Sequence, residues 1–185
     1  MIDETLRTVS ANCLGGRPVP AAFAALWEAQ LAGRSPIEAV EFGAVELVSS
    51  HDDEFFEGCD PETCGAAVAR AYARMFRQVA FIGREADGSL IGSWLRDERA
   101  PIDGAPIVVL DSEGQFDCTA ATLPDHFVQA AGDDARAVAA IRRWFRRRGI
   151  ATSPSPDAAW AAIEKLPDPN KLSHRYQQEE AAADE

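Results

Sequence analysis

The sequence predicts an α+β protein in which a twisted antiparallel sheet packs against helices. Both ends of the chain carry apolar residues at helical spacing, and the middle carries short apolar stretches separated by tight turns. No helical stretch separates the four strands that are predicted in the middle of the chain. Helices, then a run of strands, then helices again is an order typical of α+β proteins and not of a doubly wound parallel sheet.

Two helices are predicted near the N-terminus. The first covers residues 2–14, where apolar side chains recur at helical spacing, and Gly15-Gly16 ends it. The second follows Pro18-Val19-Pro20 and ends near Gly33. Four apolar residues are expected to line one face of this second helix: Phe23, Leu26, Trp27 and Leu31.

The next stretch combines short elements with a charged loop. Ser35-Pro36 has the pattern of a helix cap followed by proline at the first helical position. Residues 44–49 predict a short strand, residues 51–62 an acidic loop and residues 63–78 a helix. We expect Tyr72 to lie on the apolar face of that helix.

The middle of the chain predicts four strands, at residues 79–83, 89–95, 106–110 and 115–120. Asp87-Gly88 predicts a tight turn between the first two strands, and residues 111–114 predict another before the fourth. The continuous apolar run in residues 106–110 favours a buried position inside the sheet for the third strand.

Two helices and a tail follow. Thr122, with Asp125 three residues later, is a variant of the capping box and predicts a helix in which His126 is an exposed first-turn residue. A second helix is predicted from Asp133-Asp134 to just before Gly149. Residues 1–150 are therefore expected to form one domain. Residues 151–185 are expected to be a loosely attached C-terminal extension, with residues 177–185 disordered.

Part of this pattern resembles the SUKH superfamily, the cell-wall assembly regulator-like and knock-out-killer regulator-like domains. The residues that carry the resemblance are Phe81-Ile82-Gly83, Asp87-Gly88, Pro106-Ile107-Val108-Val109-Leu110, Asp111-Ser112-Glu113-Gly114 and Thr122-Leu123-Pro124-Asp125-His126-Phe127. The resemblance implies a twisted antiparallel sheet packed against helices, without an active site. It also implies a role like that of the immunity members, which bind and block a cognate toxin.

The net charge of the chain disfavours some classes of binding partner. The formal net charge is −12, so nucleic acid and anionic membranes are expected to repel the chain. No apolar stretch is long enough to cross a bilayer, and the early charges argue against a secretory signal. We therefore expect a cytoplasmic protein with a protein partner, no nucleic acid and no membrane partner. Its oligomeric state stays open.

The acidic loop is the predicted partner-binding site. Carboxylates there suit a basic protein surface, such as that of a nuclease toxin. Phe55 and Phe56 are either packed under the loop or include one exposed anchor, since two adjacent aromatic side chains cannot easily both face inward. His51-Asp52-Asp53-Glu54 does not alternate as the ligands of a calcium-binding EF-hand do. The candidate residues are Asp52, Asp53, Glu54, Phe55, Phe56, Glu57, Asp60 and Glu62.

The four cysteines are expected to be reduced thiols. Cys59 and Cys64 are close in sequence, but a zinc site needs four ligands and a second pair is missing. We therefore expect no metal and no cofactor. A metal-binding protein or an enzyme that uses the Cys59/Cys64 region stays as the alternative.

A basic stretch lies near the end of the last predicted helix. Its five arginines flank Trp144 and Phe145, a mixture that can indicate nucleic-acid binding. The acidity of the rest of the chain favours a match to the acidic loop, in the same chain or in another subunit, and positive charge also suits a helix C-terminus. The arginines are Arg142, Arg143, Arg146, Arg147 and Arg148.

Taken together, these patterns predict a non-catalytic protein-binding module of the immunity-protein type. The sequence contains no nucleophile elbow, phosphate loop or dinucleotide fingerprint, so we do not expect an enzyme. The other hypotheses are the metal-binding protein or enzyme named above and a scaffold that self-associates through its acidic loop and its Arg-rich helix.

Overall fold

The computed structural model describes residues 2–33, 46–47, 61–85, 87–96 and 102–184. Within these ranges the chain combines helices with one antiparallel sheet, which confirms the predicted α+β class. The helices are α1 Ile2–Cys13, α2 Ala21–Leu31, α3 Pro61–Cys64, α4 Ala66–Phe76, α5 Leu123–Ala130, α6 Ala135–Arg146, α7 Pro156–Ile163 and α8 Pro169–Ala182. The strands are β1 Glu46–Leu47, β2 Val79–Arg84, β3 Leu90–Trp94, β4 Ile107–Leu110 and β5 Phe116–Ala120.

The sheet is a meander whose strands lie in sequence order, β1-β2-β3-β4-β5, and every neighbouring pair is antiparallel. Ser93 of β3 lies opposite Ile107 of β4, and Leu90 lies opposite Leu110. The strand β4 therefore lies inside the sheet between β3 and β5. Ile107 and Val108 are fully buried, which confirms the interior position that the apolar run predicts.

Helices cover both faces of the sheet. The first core combines residues of α1, α2, α5 and α6 with strand residues such as Ile82, Ile91 and Ile107. The second core combines α4 and α8 with the alternate strand residues, among them Phe81 and Trp94. Because successive side chains of a strand point to opposite faces, each central strand contributes to both cores and must be apolar on both sides.

A bulge in β5 changes which face its last residue occupies. The pairing with β4 runs from Val108 opposite Cys118 to Ile107 opposite Ala120, which leaves Thr119 as the extra residue. Cys118 packs against the second core, whereas Ala120 belongs to the first. Two residues that would share a face in a regular strand are thus placed on opposite faces.

Gly92 permits a close approach of β2 and β3. A Cβ atom at this position would lie 2.4 Å from Val79 Cγ1 and 3.1 Å from the backbone Cα of Phe81. The second of these atoms belongs to the backbone and cannot rotate away. A side chain at position 92 would therefore force the two strands apart at the point where β2 has its own register shift.

The helix boundaries follow the predicted signals with two differences. Gly15 and Gly16 have φ values of 60° and 77° after α1, and the Thr122 and Asp134 side chains cap α5 and α6. The helix expected at residues 63–78 is interrupted at Gly65, whose φ of 89° separates the short α3 from α4. The predicted strand at residues 44–49 is described only at Glu46–Leu47, and the Ser35-Pro36 turn lies outside the described residues.

Leu31 is not buried with the other residues of the predicted apolar face of α2. Phe23, Leu26 and Trp27 are buried as expected, but 57% of Leu31 is exposed. Leu31 is the last residue of the helix. Within the described ranges, no neighbouring element covers this position.

The C-terminal residues differ from the predicted loose, partly disordered extension. They form α7 and α8, and α8 continues to Ala182. Leu172 and Tyr176 lie four residues apart on α8 and pack against the second core, while Asp168 caps the helix. The expectation failed because the tail is polar on average, and only this narrow stripe shows that it packs against the sheet. The domain boundary at residue 150 stays a prediction.

Charged side chains also connect α8 to α4. Arg70 Nε lies 2.8 Å from Glu180 Oε2, and Arg74 Nη2 lies 2.9 Å from Glu179 Oε2. The Arg74 guanidinium also stacks on the Tyr176 ring at 3.7 Å from its centroid. The Tyr176 hydroxyl accepts a hydrogen bond of 2.7 Å from the Gln78 amide. The seam between α4 and α8 is therefore apolar at the sheet and ionic at the surface.

Among the described helices, none has the length and apolar character needed to cross a membrane.

Replacing Tyr176 with alanine should detach α8 from the sheet. The change removes an aromatic ring from the second core, the hydrogen bond from Gln78 and the stack with Arg74, so we expect a loss of about 1–3 kcal/mol in the free energy of unfolding. Chemical denaturation measures it. His174→Ala on the exposed face of the same helix is the control and should change stability by less than about 0.5 kcal/mol. Equal effects of the two substitutions would contradict the packing of α8.

Glu180 should make the stability of this seam depend on pH. Hydrogen bonds from Arg70 and Arg74 hold the pKa of Glu180 below its usual value of 4.5, because they favour the charged carboxylate. A lowered pKa stabilises the folded chain above pH 4.5, and the contribution is lost as the pH falls through the folded value. The stability difference between the native chain and Glu180→Gln should therefore be present at pH 7 and shrink below pH 4.5. Glu164→Gln, at an exposed position on the surface, is the matched control for the substitution and should leave the stability at pH 7 close to that of the native chain.

Candidate functional site

The predicted partner-binding residues lie almost entirely outside the described residues. This holds for Asp52, Asp53, Glu54, Phe55, Phe56, Glu57 and Asp60. Glu62 is described and is exposed in the first turn of α3. The structure thus places one of the eight residues at the surface, and the question of whether Phe55 or Phe56 is an exposed anchor stays a prediction.

The cysteines do not all match the expected reduced thiols. Cys64 is disulfide-bonded, whereas Cys13 and Cys118 are not in disulfides. Cys59 lies outside the described residues. A sulfur in a disulfide offers no thiolate to a metal, so the alternative of a metal site in the Cys59/Cys64 region loses Cys64 as a ligand in this state. Disulfides are more usual in oxidising compartments than in the cytosol, so the cytoplasmic location stays a prediction.

The thiols of Cys13 and Cys118 are poor nucleophiles. Burial raises the pKa of Cys13 from 9.0 to about 11 and, against a weak hydrogen bond to the Ala120 carbonyl, raises that of Cys118 to about 11 as well. A catalytic cysteine needs the opposite shift, because the thiolate is the reactive species. In the described parts of the chain, no group of three or more His, Cys, Asp or Glu side chains is placed to hold a metal ion.

His126 is buried, which corrects its predicted exposure. Only 7% of the residue is exposed, since the first turn of α5 faces the sheet. Its Nδ1 atom lies 3.2 Å from the hydroxyl of Thr119, the bulged residue of β5, and its Nε2 atom lies 3.3 Å from Glu85 Oε1. The imidazole therefore joins β5, α5 and the end of β2.

The order of hydroxyl, imidazole and carboxylate in this cluster is that of a nucleophilic triad. Chemistry would also require a substrate beside the hydroxyl. None of Thr119, His126 and Glu85 lines the pocket of about 260 Å³ in the first core, which is described below. Their arrangement is accounted for by the need to pair polar groups that the bulge and the helix turn bring into a buried position.

Asp125 fixes the start of the C-terminal segment. Its backbone N–H donates to the Thr122 hydroxyl at 3.3 Å, as the capping box predicts. Its carboxylate does not complete the box and instead accepts a 2.6 Å hydrogen bond from the backbone N–H of Ser153. The buried Asp125 side chain therefore holds the chain that leads from α6 into α7 against the first turn of α5.

The predicted match of the α6 arginines to the acidic loop stays a prediction, because residues 51–60 of that loop lie outside the described residues. Arg148 stacks on the Trp144 ring at 3.7 Å and donates to the Trp144 carbonyl at 3.1 Å. Arg143, Arg146 and Arg147 are exposed. In the described part of the chain, no carboxylate pairs with any of these four arginines.

A pocket of about 260 Å³ opens in the first core, between the sheet and two helix starts. Its walls come from the beginning of α2, the beginning of α5, the loop at residues 102–105 and residues 149–151 after α6. Most of the lining is apolar, with side chains such as Phe23, Ile107 and Leu123. The chain thus contains a small concave site of the kind that holds small molecules.

Two features of this pocket are polar. Ser93 is 5% exposed and lies on the same face of β3 as Ile91, and its hydroxyl makes no hydrogen bond to any group within the described ranges. The helix α2 has Pro20 at its N-cap, no side-chain cap and no acidic residue in its first turn. The first hydrogen bond of the helix runs from Ala24 N–H to the Pro20 carbonyl at 2.9 Å. The backbone N–H groups before Ala24 are therefore unused donors beside the pocket.

Sequence reasoning did not identify this pocket. A serine within an apolar strand and a helix that starts at proline without a capping side chain were the available signals. Each is common in isolation, and only the fold shows that both border the same cavity.

The cysteines should respond differently to labelling at pH 8. With a pKa near 11 the thiolate fraction of Cys13 and Cys118 is about a hundredfold lower than at the ordinary value, so both should be alkylated slowly in the folded chain. In denaturant without reductant these two residues should react fully, whereas Cys64 should react only after reduction. Mass spectrometry of the labelled peptides measures this, and alkylation of Cys64 without reductant would show that the disulfide is absent.

Comparisons with known proteins found no match among family models, curated proteins or solved structures.

Proposed function

We propose that this chain is a non-catalytic protein-binding module whose partner is a basic protein, of the kind that neutralises a toxin. The observation that carries the proposal is a block of charge. Residues 35–69 contain nine Asp or Glu residues and no Lys or Arg, so this stretch accounts for most of the net charge of −12. A field of one sign increases the rate of encounter with an oppositely charged surface and disfavours wrong partners.

The described elements that border this acidic segment are attached to the fold. Within it, Glu46 and Leu47 pair with Arg84 and Gly83 at the edge of the sheet. At its other end, α3 leads into α4, which packs on the second core through Met75. An acidic segment attached at both sides needs less ordering on binding than a free tail does.

The other observations are compatible with binding and do not favour catalysis. The thiols of Cys13 and Cys118 have raised pKa values, and the imidazole of His126 is buried between Thr119 and Glu85. A catalytic thiol or imidazole must be accessible and reactive, whereas these thiols have raised pKa values and this imidazole is buried between two partners.

A basic toxin is the partner class that fits the charge. Enzymes that act on nucleic acid hold the phosphate backbone with lysine and arginine side chains. An acidic surface can occupy that basic surface and exclude the nucleic acid, which blocks the enzyme without any chemistry by the inhibitor. The resemblance of residues 81–131 to SUKH immunity proteins supports the same proposal.

Reversing the charge of the acidic segment should abolish binding. The variant Asp52→Lys, Asp53→Lys, Glu57→Lys is compared with Glu113→Lys, Asp117→Lys, Glu164→Lys, which has the same net charge but changes exposed residues elsewhere. Captured partners are identified by mass spectrometry, and affinities are measured on the purified pair. We expect the first variant to bind at least about a hundredfold more weakly and the second to bind within about threefold of the native chain. Equal losses in both variants would show that only net charge matters and would contradict the site.

The catalytic activity of the partner tests whether this chain neutralises a toxin. The catalytic activity of the captured partner should fall to background when the native chain is added at equal concentration, and it should persist with the first variant. A partner whose activity is unchanged by a bound native chain would leave binding intact and contradict neutralisation.

A second candidate function is self-association, favoured by the exposed Arg143, Arg146 and Arg147 beside an otherwise acidic chain. Sedimentation of the same three proteins distinguishes it. Self-association predicts an oligomer at low salt that dissociates as salt rises and is absent in the first variant.

A further inference from the structure

We propose that the pocket between the sheet and the N-terminus of α2 binds a small carboxylate with an apolar body. This inference is independent of the protein-binding proposal, because it rests on other residues. Three properties of the pocket carry it: its volume, its apolar walls and its unpaired hydrogen-bond donors.

The volume sets the size of the ligand. Pockets for drug-sized molecules span about 300–1,000 Å³, and this one, at about 260 Å³, lies just below that range. A short-chain or single-ring acid fits such a space. Phe23, Ile107 and Leu123 would enclose the apolar part, whose removal from water provides most of the binding energy.

The charge of the headgroup follows from α2. The peptide dipoles of a helix place partial positive charge at its N-terminus, where anions are favoured. Neither a side-chain cap nor an acidic residue in the first turn offsets that charge here. Ala21 is exposed, but Ala22 and Phe23 are buried, so two of the three unused N–H groups belong to buried residues, where a bound carboxylate gains more from them.

Ser93 is the independent observation that points to a ligand. Most polar side chains this deeply buried are hydrogen-bonded within the protein, whereas the Ser93 hydroxyl is not an enclosed atom and remains open to the pocket that the residue lines. Ser93 lines the pocket from β3, where a carboxylate oxygen could accept a hydrogen bond from its hydroxyl. It would fix the headgroup from the side of the sheet while α2 holds it from the helix layer.

Asp103 limits the choice of ligand. This exposed carboxylate also lines the pocket, and it would attract a cation instead of an anion. Because it is in contact with solvent, its field is screened more strongly than that of the buried helix end. The geometry therefore favours the carboxylate at α2, and a headgroup comparison can decide between the two charges.

Calorimetric titration with hexanoate, 1-hexanol and hexylamine tests the proposal, since the three probes share one tail and differ in headgroup charge. We expect hexanoate to bind most tightly and acetate, which lacks the tail, to bind at least about tenfold more weakly than hexanoate. Tighter binding of hexylamine would assign the pocket to a cation through Asp103 and overturn the proposal. Equal binding of acetate and hexanoate, or no binding of hexanoate, would overturn it as well.

Variants locate the binding in the pocket. Ser93→Ala should weaken hexanoate about tenfold, the effect of one hydrogen bond to a charged group, and leave hexanol unchanged. Ala151→Trp places a large side chain at an exposed residue of the rim and should block hexanoate without affecting the core. Ala161→Trp, on the exposed side of α7 and outside the pocket lining, is the matched control and should bind hexanoate like the native chain. Unchanged binding in Ala151→Trp would show that the acid binds elsewhere.

Discussion

The burial of the sheet on both faces is the constraint on which the rest of the structure depends. An antiparallel sheet commonly exposes one face and then shows alternating polar and apolar residues. Here the central strands contribute Ile91 to one core and Trp94 to the other, so neither face can be left to water. The chain must therefore supply a helical layer for each face, α1, α2, α5 and α6 for one and α4 and α8 for the other.

This constraint explains why the strands were predictable and the second layer was not. Turn residues such as Asp87-Gly88 and the apolar run of β4 act over a few neighbouring positions, and they specify strands and hairpins locally. The need to cover Phe81 and Phe116 is a property of the assembled sheet. The helix that covers them with α4 is polar apart from a narrow stripe, so its own sequence gives a weak signal, and the prediction of a disordered tail followed from average composition.

The same distinction between local and assembled properties applies to the functional residues. Thr122 and Asp134 could be recognised as caps because a cap needs only the next three residues. The burial of His126 depends on a bulge in β5 and on the end of β2, which lie far from it in sequence. The pocket likewise brings together Ser93, Pro20 and residues after α6. The acidic segment, by contrast, can be recognised from the sequence alone, because its charge is a property of its residues. The structure adds only where the elements that flank it are attached to the fold.

Backbone N–H groups that lack a partner at the start of a helix destabilise the fold. At the starts of α5, α6, α7 and α8 a side-chain cap accepts hydrogen bonds from such groups. The N-cap residue of α2 is Pro20, whose side chain contains no hydrogen-bond acceptor. The hydroxyl of Ser93 adds a second hydrogen-bond donor on the wall of the same pocket. One ligand could accept hydrogen bonds from both the start of α2 and Ser93 at this cavity. Because such a ligand binds only the folded chain, its binding would also stabilise the first core, where α2 meets the sheet.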